Sequence, residues 1–218
     1  GKTAMPGWTY FATQNGCRVY RNDAFIPMGF SYDSYLTRSQ YDSSSQADRH
    51  LLLLKAIVLE DKDAAKYSGL LSPLSVNNQD YTQAQYLKDC AARKATSCSS
   101  FSYDNGGFSA TFTSEKDRLV FFSVPWEGGW SATVNGGQAE IVKANVGFMA
   151  VKVPKGTSSI RFSYQTPGAK LGAAVSCGGG LLFLFYWLVT RDRRLKKKRR
   201  VPCANYPEYP EKPENDGG

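Results

Sequence analysis

The chain has 218 residues, 42% hydrophobic and 21% charged, with a formal net charge of +8. That length holds one or two modest domains with a real apolar core. The charge is no sign of a nucleic-acid surface, since half of it lies after Val189, where nine basic residues face five acids. The five cysteines do not make a disulfide framework, because Cys177 and Cys203 fall in segments of a different character from the rest.

Up to about Leu36, aromatics mix with turn residues: Trp8, Tyr10 and Phe11, then Gly16, Cys17 to Tyr20, and the segment FIPMGFSYDSYL. Short strands and extended loops are expected there. A helix is expected next. Ser45 and Asp48 have capping-box spacing, and Ala47, Leu51, Leu54 and Val58 recur at helical intervals through HLLLLKAIVL. Gly69 to Asn78, broken by Pro73, reads as loop. A second helix is expected over Tyr81 to Lys94, with Asn78 or Asp80 near its cap and Tyr86 and Cys90 on one face. Cys90 and Cys98 are close enough in sequence to bridge that helix to the next strand in an oxidising exterior, if the geometry allows. Cys17 would then be a lone thiol, expected as a small buried apolar residue.

From Cys98 to Tyr164 the period changes to two. Phe108, Ala110 and Phe112 alternate with polar residues, and RLVFFSV follows a charged turn. Trp130, Ala132 and Val134 precede Asn135-Gly136, a strong hairpin signal because both residues tolerate positive φ. Met149, Val151 and Val153, then Ile160, Phe162 and Tyr164, flank a turn at Pro154-Lys155-Gly156. Six or seven such strands indicate an antiparallel β-sandwich or jelly-roll-like module needing a second layer from the other strands or the helices.

Leu171 to Val189 contains no charge over roughly nineteen residues, about the length of a transmembrane helix. Its glycine run, Gly178 to Gly180, is better tolerated in lipid than in water. Tyr186 and Trp187 stand where an interfacial aromatic belt belongs. Immediately beyond come Arg191, Arg193, Arg194, Lys196, Lys197, Lys198, Arg199 and Arg200 with one acid among them. By the positive-inside rule the tail is cytoplasmic, the cluster meets anionic headgroups, and everything before the helix is extracytoplasmic. No apolar signal segment precedes it, so the economical reading is a fragment whose earlier membrane segments are missing. The Pro- and acid-rich end, PCANYPEYPEKPENDGG, is expected to be disordered.

The fold class is thus α+β: an extracytoplasmic domain ending in an antiparallel sandwich, followed by one transmembrane helix. Its divisions are a mixed strand and helix region over 1–97, the sandwich module over 98–168, the helix over 169–190 and the tail over 191–218.

Few residues suggest chemistry. His50 has no second histidine or cysteine at ligand spacing, so no metal site is expected. Glu60, Asp61 and Asp63, and Glu115 with Asp117, flank turns as solvated charges. The glycine pairs at 106–107, 128–129 and 136–137 are turn chemistry, since no helix or Lys-Ser/Thr follows them. Trp126, Trp130, Asn145 and Phe148 form the candidate carbohydrate-contact set, aromatic faces beside a polar group on a sandwich. The plainer reading is that Trp130 points into the core; Trp126 is the better candidate for exposure.

The landmarks PMGFSYDSYL (Pro27 to Leu36), LLLLKAIVL (Leu51 to Leu59) and especially LVFFSVPWEGGWSATVNGGQAEIVKANVGFMAVKVPKGTSSIRFSYQTPGAKLG (Leu119 to Gly172) resemble the C-terminal region of the YfhO family of bacterial membrane proteins. Those proteins look like multi-pass glycosyltransferases of the GT-C type. The resemblance implies a parent protein that moves a sugar from a polyprenyl-phosphate donor to an envelope acceptor such as teichoic acid. The family's catalytic acids belong to an early outer loop absent here, so the resemblance implies no catalytic residue and no cofactor in this chain. The implied partners are membrane lipid, the missing membrane segments and a cell-envelope glycan, with no nucleic acid. The alternative is a membrane-anchored surface protein with a carbohydrate-binding sandwich and no enzymatic activity.

Overall fold

A computed structural model describes residues 7–77 and 79–198, the last seven by their backbone alone. It separates into two units, one ending at Pro167 and one starting at Gly168. Arg199, Arg200, Cys203 and the Pro-rich end lie outside the described residues.

The first unit opens with a hairpin, β1 (Trp8–Gln14) and β2 (Cys17–Asn22), joined at Asn15 and Gly16, both at positive φ. The order continues with β3 (Phe30–Ser31), β4 (Ser34–Thr37), α1 (Arg38–Ser43), α2 (Arg49–Lys55), β5 (Ile57–Leu59), α3 (Asp61–Tyr67), β6 (Ser72–Pro73) and α4 (Gln83–Ala95). The strands β7 (Ser100–Asp104), β8 (Gly107–Ser114), β9 (Arg118–Pro125), β10 (Trp130–Val134), β11 (Gly137–Ala139), β12 (Ile141–Ala144), β13 (Phe148–Val153) and β14 (Gly156–Tyr164) complete it. One sheet has the order β11-β10-β14-β8-β7 and the other β3-β9-β13-β12-β5-β4-β6.

The alternating residues do what period two requires: Phe108, Phe112, Ile160 and Phe162 from the first sheet meet Phe122, Met149, Val151 and Val153 from the second. Phe108 stacks on Phe162 at 4.6 Å between ring centroids. Burying each such ring stabilises by roughly 1.5–3 kcal/mol. The outer face of the second sheet is covered as well. Tyr67 of α3 joins Leu119, Phe121 and Val142 there, and Tyr41 and Leu52 of α1 and α2 close over Leu36 and Val58. This double cover explains the unbroken apolar run Leu119–Phe122, buried at every position.

The sandwich is present, with additions that the sequence pattern does not carry. The second sheet is mixed, because β4 runs parallel to both β5 and β6. Its strands β3 to β6 come from the first hundred residues, so the change of period near Cys98 is a change of pattern within one shared core. The helix expected to run through Val58 stops at Lys55. Ala56 turns extended (φ −142°), and Ile57, Val58 and Leu59 form a strand buried on all sides. β-branched residues in a central strand outweigh their helical spacing. Ser45 does not cap α2; its carbonyl accepts from the Asp48 N–H, and Asp48 occupies the cap without a side-chain bond. A capping box does form at α1, between Thr37 and Gln40. The second expected helix is α4, where Thr82 caps Gln85 N–H at 3.3 Å and Asp80 accepts from Thr82 N–H at 2.8 Å.

The cysteine expectations need correction. Cys90 and Cys98 are both buried free thiols, with no bridge between them. Cys90 faces Tyr86 one turn earlier on α4, while Cys98 packs beside Gly29 and Phe122 with its thiol pushed by burial up to about 12. Cys17, expected to be buried, is exposed at the start of β2.

The second unit is one helix, α5 (Ala169–Lys198), which carries straight through Gly178–Gly180. Its segment Ala169–Arg191 is long and apolar enough to cross a membrane, and none of it is buried against protein. A core helix of a soluble domain would have at least one covered face. The backbone of the basic residues up to Lys198 continues this helix.

Candidate functional site

The four residues expected to contact carbohydrate lie at one end of the sandwich, brought there by the strand pairing. β9 ends beside the start of β13, with Pro125 opposite Phe148. The Trp126 N–H donates to the Gly147 carbonyl at 2.8 Å, tying β9 to the β12–β13 turn. β10 starts opposite the end of β14, with Trp130 paired to Tyr164. The Gln165 N–H donates to Gly129 O at 2.9 Å, and Tyr164 Oη donates to Glu127 Oε2 at 2.9 Å. A side chain at position 129 would meet the Gln165 carbonyl at 2.5 Å, so the 126–129 loop can close only with glycine there.

Their environments differ. Trp130 is half-buried, its ring 5.0 Å from Tyr164 and 5.7 Å from Phe108. Phe148 is half-buried against Phe121 at 5.9 Å. Asn145 is buried, at φ 47°, and both polar atoms of its amide are engaged: Oδ1 accepts from Val58 N–H at 2.8 Å and Nδ2 donates to Tyr32 Oη at 3.1 Å. Trp126 alone presents an open face, 46% exposed, with Lys143 Nζ 5.9 Å from its ring centre. The set is brought together, but one member of it faces outward.

Tyr32 is a hub that sequence reasoning missed. Its hydroxyl donates to Leu53 O at 2.7 Å while accepting from Asn145, and the Arg93 guanidinium lies 4.8 Å over its ring. Burial pushes this hydroxyl up to about 12, so it serves as a fixed neutral donor. Its partners lie 21, 61 and 113 positions away along the chain, beyond any local pattern.

A shallow cleft of about 410 Å³ opens between Lys66, Tyr67, Asn135, Gln138, Glu140 and Lys152. Lys66 and Glu140 pair across it, and Asn135 is occupied by Ser159 N–H at 2.8 Å. Most acids noted in the sequence have structural partners. Asp61 accepts from the Ser39 backbone and hydroxyl, Asp117 from Lys155 N–H at 3.0 Å, and Glu60 lies 3.9 Å from Arg38. His50 is exposed, and among the described residues no three His, Cys, Asp or Glu side chains converge as metal ligands.

Residues 71–176 match the family profile described as bacterial membrane protein YfhO. This stretch belongs to the YfhO family. It takes in β6, α4, every strand from β7 to β14 and the first turns of α5. The chain is also 28% identical over 103 residues to "Uncharacterized protein YfhO" of Bacillus subtilis strain 168, an alignment covering 47% of this chain and 12% of that relative. No solved structure matches the chain. The match to a family of bacterial membrane proteins and the uncovered apolar α5 together support a place in a membrane.

Proposed function

We propose that this chain supplies an extracytoplasmic domain and a membrane helix to a multi-pass YfhO-family glycosyltransferase acting on cell-envelope polymers. In this reading a polyprenyl-phosphate-linked sugar is the donor and a teichoic-acid-like polymer the acceptor, and the reacting groups belong to other parts of the protein. One observation carries the orientation: α5 has no charge from Leu171 to Thr190, and the dense cationic run lies on one side of that stretch only. A strain lacking the gene should lose a sugar substituent from an envelope polymer. The complete protein should restore it, and this chain alone should not. An unchanged polymer in the deletion strain would sink the transferase reading and favour a non-enzymatic, membrane-anchored surface protein.

A further inference from the structure

We propose that the rim formed by Trp126 and Val146 rests in the headgroup layer of the bilayer that α5 crosses. The first argument is covalent. Gln165 is hydrogen-bonded to Gly129, and the apolar segment begins four residues later, at Ala169. Only these four residues, at most about 14 Å when fully extended, join this end of the sandwich to the apolar segment.

The second argument is the backbone at Val146. This residue sits at φ 76°, a region β-branched side chains avoid, beside Asn145 at φ 47°. Glycine or asparagine would relieve the strain. Instead the turn presents a valine, 38% exposed, and the buried Asn145 bonds to Val58 and Tyr32 hold it in place. Strain retained at an exposed apolar tip points to a use for that tip.

The third is chemistry. Trp126 is linked to the same turn through Gly147 O, and Lys143 hangs over its ring. Tyr103, 84% exposed beside the β7–β8 turn, joins this end through the Tyr164 N–H donating to Gly106 O at 2.8 Å. Tryptophan and tyrosine with a neighbouring cation suit the boundary between headgroups and acyl chains, where one part of the ring is apolar and another is wet. The remaining large exposed apolar side chains of this unit lie on β1, β2 and α4 and at Phe25. A wall polymer stacking on Trp126 is the rival; it gives no reason for a strained valine beside the ring.

The proposal rests on α5 lying in a bilayer, and Trp187 within that helix reports this separately. The full chain is placed in phosphatidylcholine and phosphatidylglycerol vesicles carrying lipids brominated near the headgroup. Trp187→Phe removes the helix signal and leaves Trp8, Trp126 and Trp130. Bromolipid should still quench the share of emission due to one of these three, and adding Trp126→Phe should abolish that quenching. Val146→Asn should reduce it without lowering the thermal midpoint. Quenching by Trp187 alone would overturn the rim while leaving the membrane helix intact, as would quenching that survives Trp126→Phe. A Trp126 that acrylamide reaches freely and that responds to soluble wall-polymer fragments would give the site to the glycan. No bromolipid quenching in the unsubstituted chain would overturn both readings.

Discussion

Asn145→Ala tests whether the buried amide or the surrounding apolar packing holds the turn between β12 and β13. Alanine leaves the buried Val58 N–H without its 2.8 Å acceptor, a loss of about 1–3 kcal/mol. The Tyr32 hydroxyl loses one bond but keeps Leu53 O, costing about 1 kcal/mol. An alanine at φ 47° adds about 1 kcal/mol, since asparagine is better suited to that region. Together these give about 3–5 kcal/mol, or a fall of roughly 6–20 °C in the unfolding midpoint for a unit of this size. The assay is near-UV circular dichroism of the aromatic core on heating, with the full chain in detergent. Asn145→Gly should recover about 1 kcal/mol, because glycine accepts the backbone angle but makes neither bond. An alanine variant within about 0.5 kcal/mol of the parent would refute the reasoning and show that water or a backbone shift satisfies Val58.

Gly29→Ala should destabilise by about 2–3 kcal/mol in the same melt, since its φ is 78° and a Cβ would stand 2.6 Å from both Cys98 Sγ and Phe122 Cε1, whereas Gly69→Ala, in open space, should be silent. Asp104 is held down to about 2 by its Arg161 hydrogen bond, helped by the Gly106 N–H. Its folded value lies below the ordinary value of about 3.9. The stabilisation is therefore complete above about pH 4 and disappears as pH falls towards 2. Carboxyl resonances should show that midpoint, and Arg161→Ala should raise it. Cys90 and Cys98 should resist maleimide in the folded chain and both react after denaturation without reductant; reaction only after reduction would restore the bridge.

The second half of the fold is legible because its chemistry is local. Period two at Phe108–Phe112 and Ile160–Tyr164 assigns faces, and Asn135-Gly136 sets a turn at φ 52° and 81°. LLLLKAIVL misleads because a solid apolar run fits a helical stripe and a doubly covered strand equally well. The choice at Ala56 is made by β4 and β12, which flank β5 from 20 residues before and more than 80 after. The site was partly legible. Trp126 faces outward as its place past a strand end suggests, and Trp130 alternates inward. Asn145 looks like an open polar group in sequence, because nothing there shows Tyr32 and Val58 closing over it. α5 needed only length and charge.

Side of the membrane is the central claim, and the native cysteines can read it. Intact cells producing the protein are treated with a membrane-impermeant maleimide, with Cys17→Ser and Cys203→Ser variants assigning the label. Cys17, exposed on the β1–β2 hairpin, should react from outside, and Cys203, beyond the cationic run, only after permeabilisation. Labelling of Cys203 in intact cells with Cys17 protected would contradict the account.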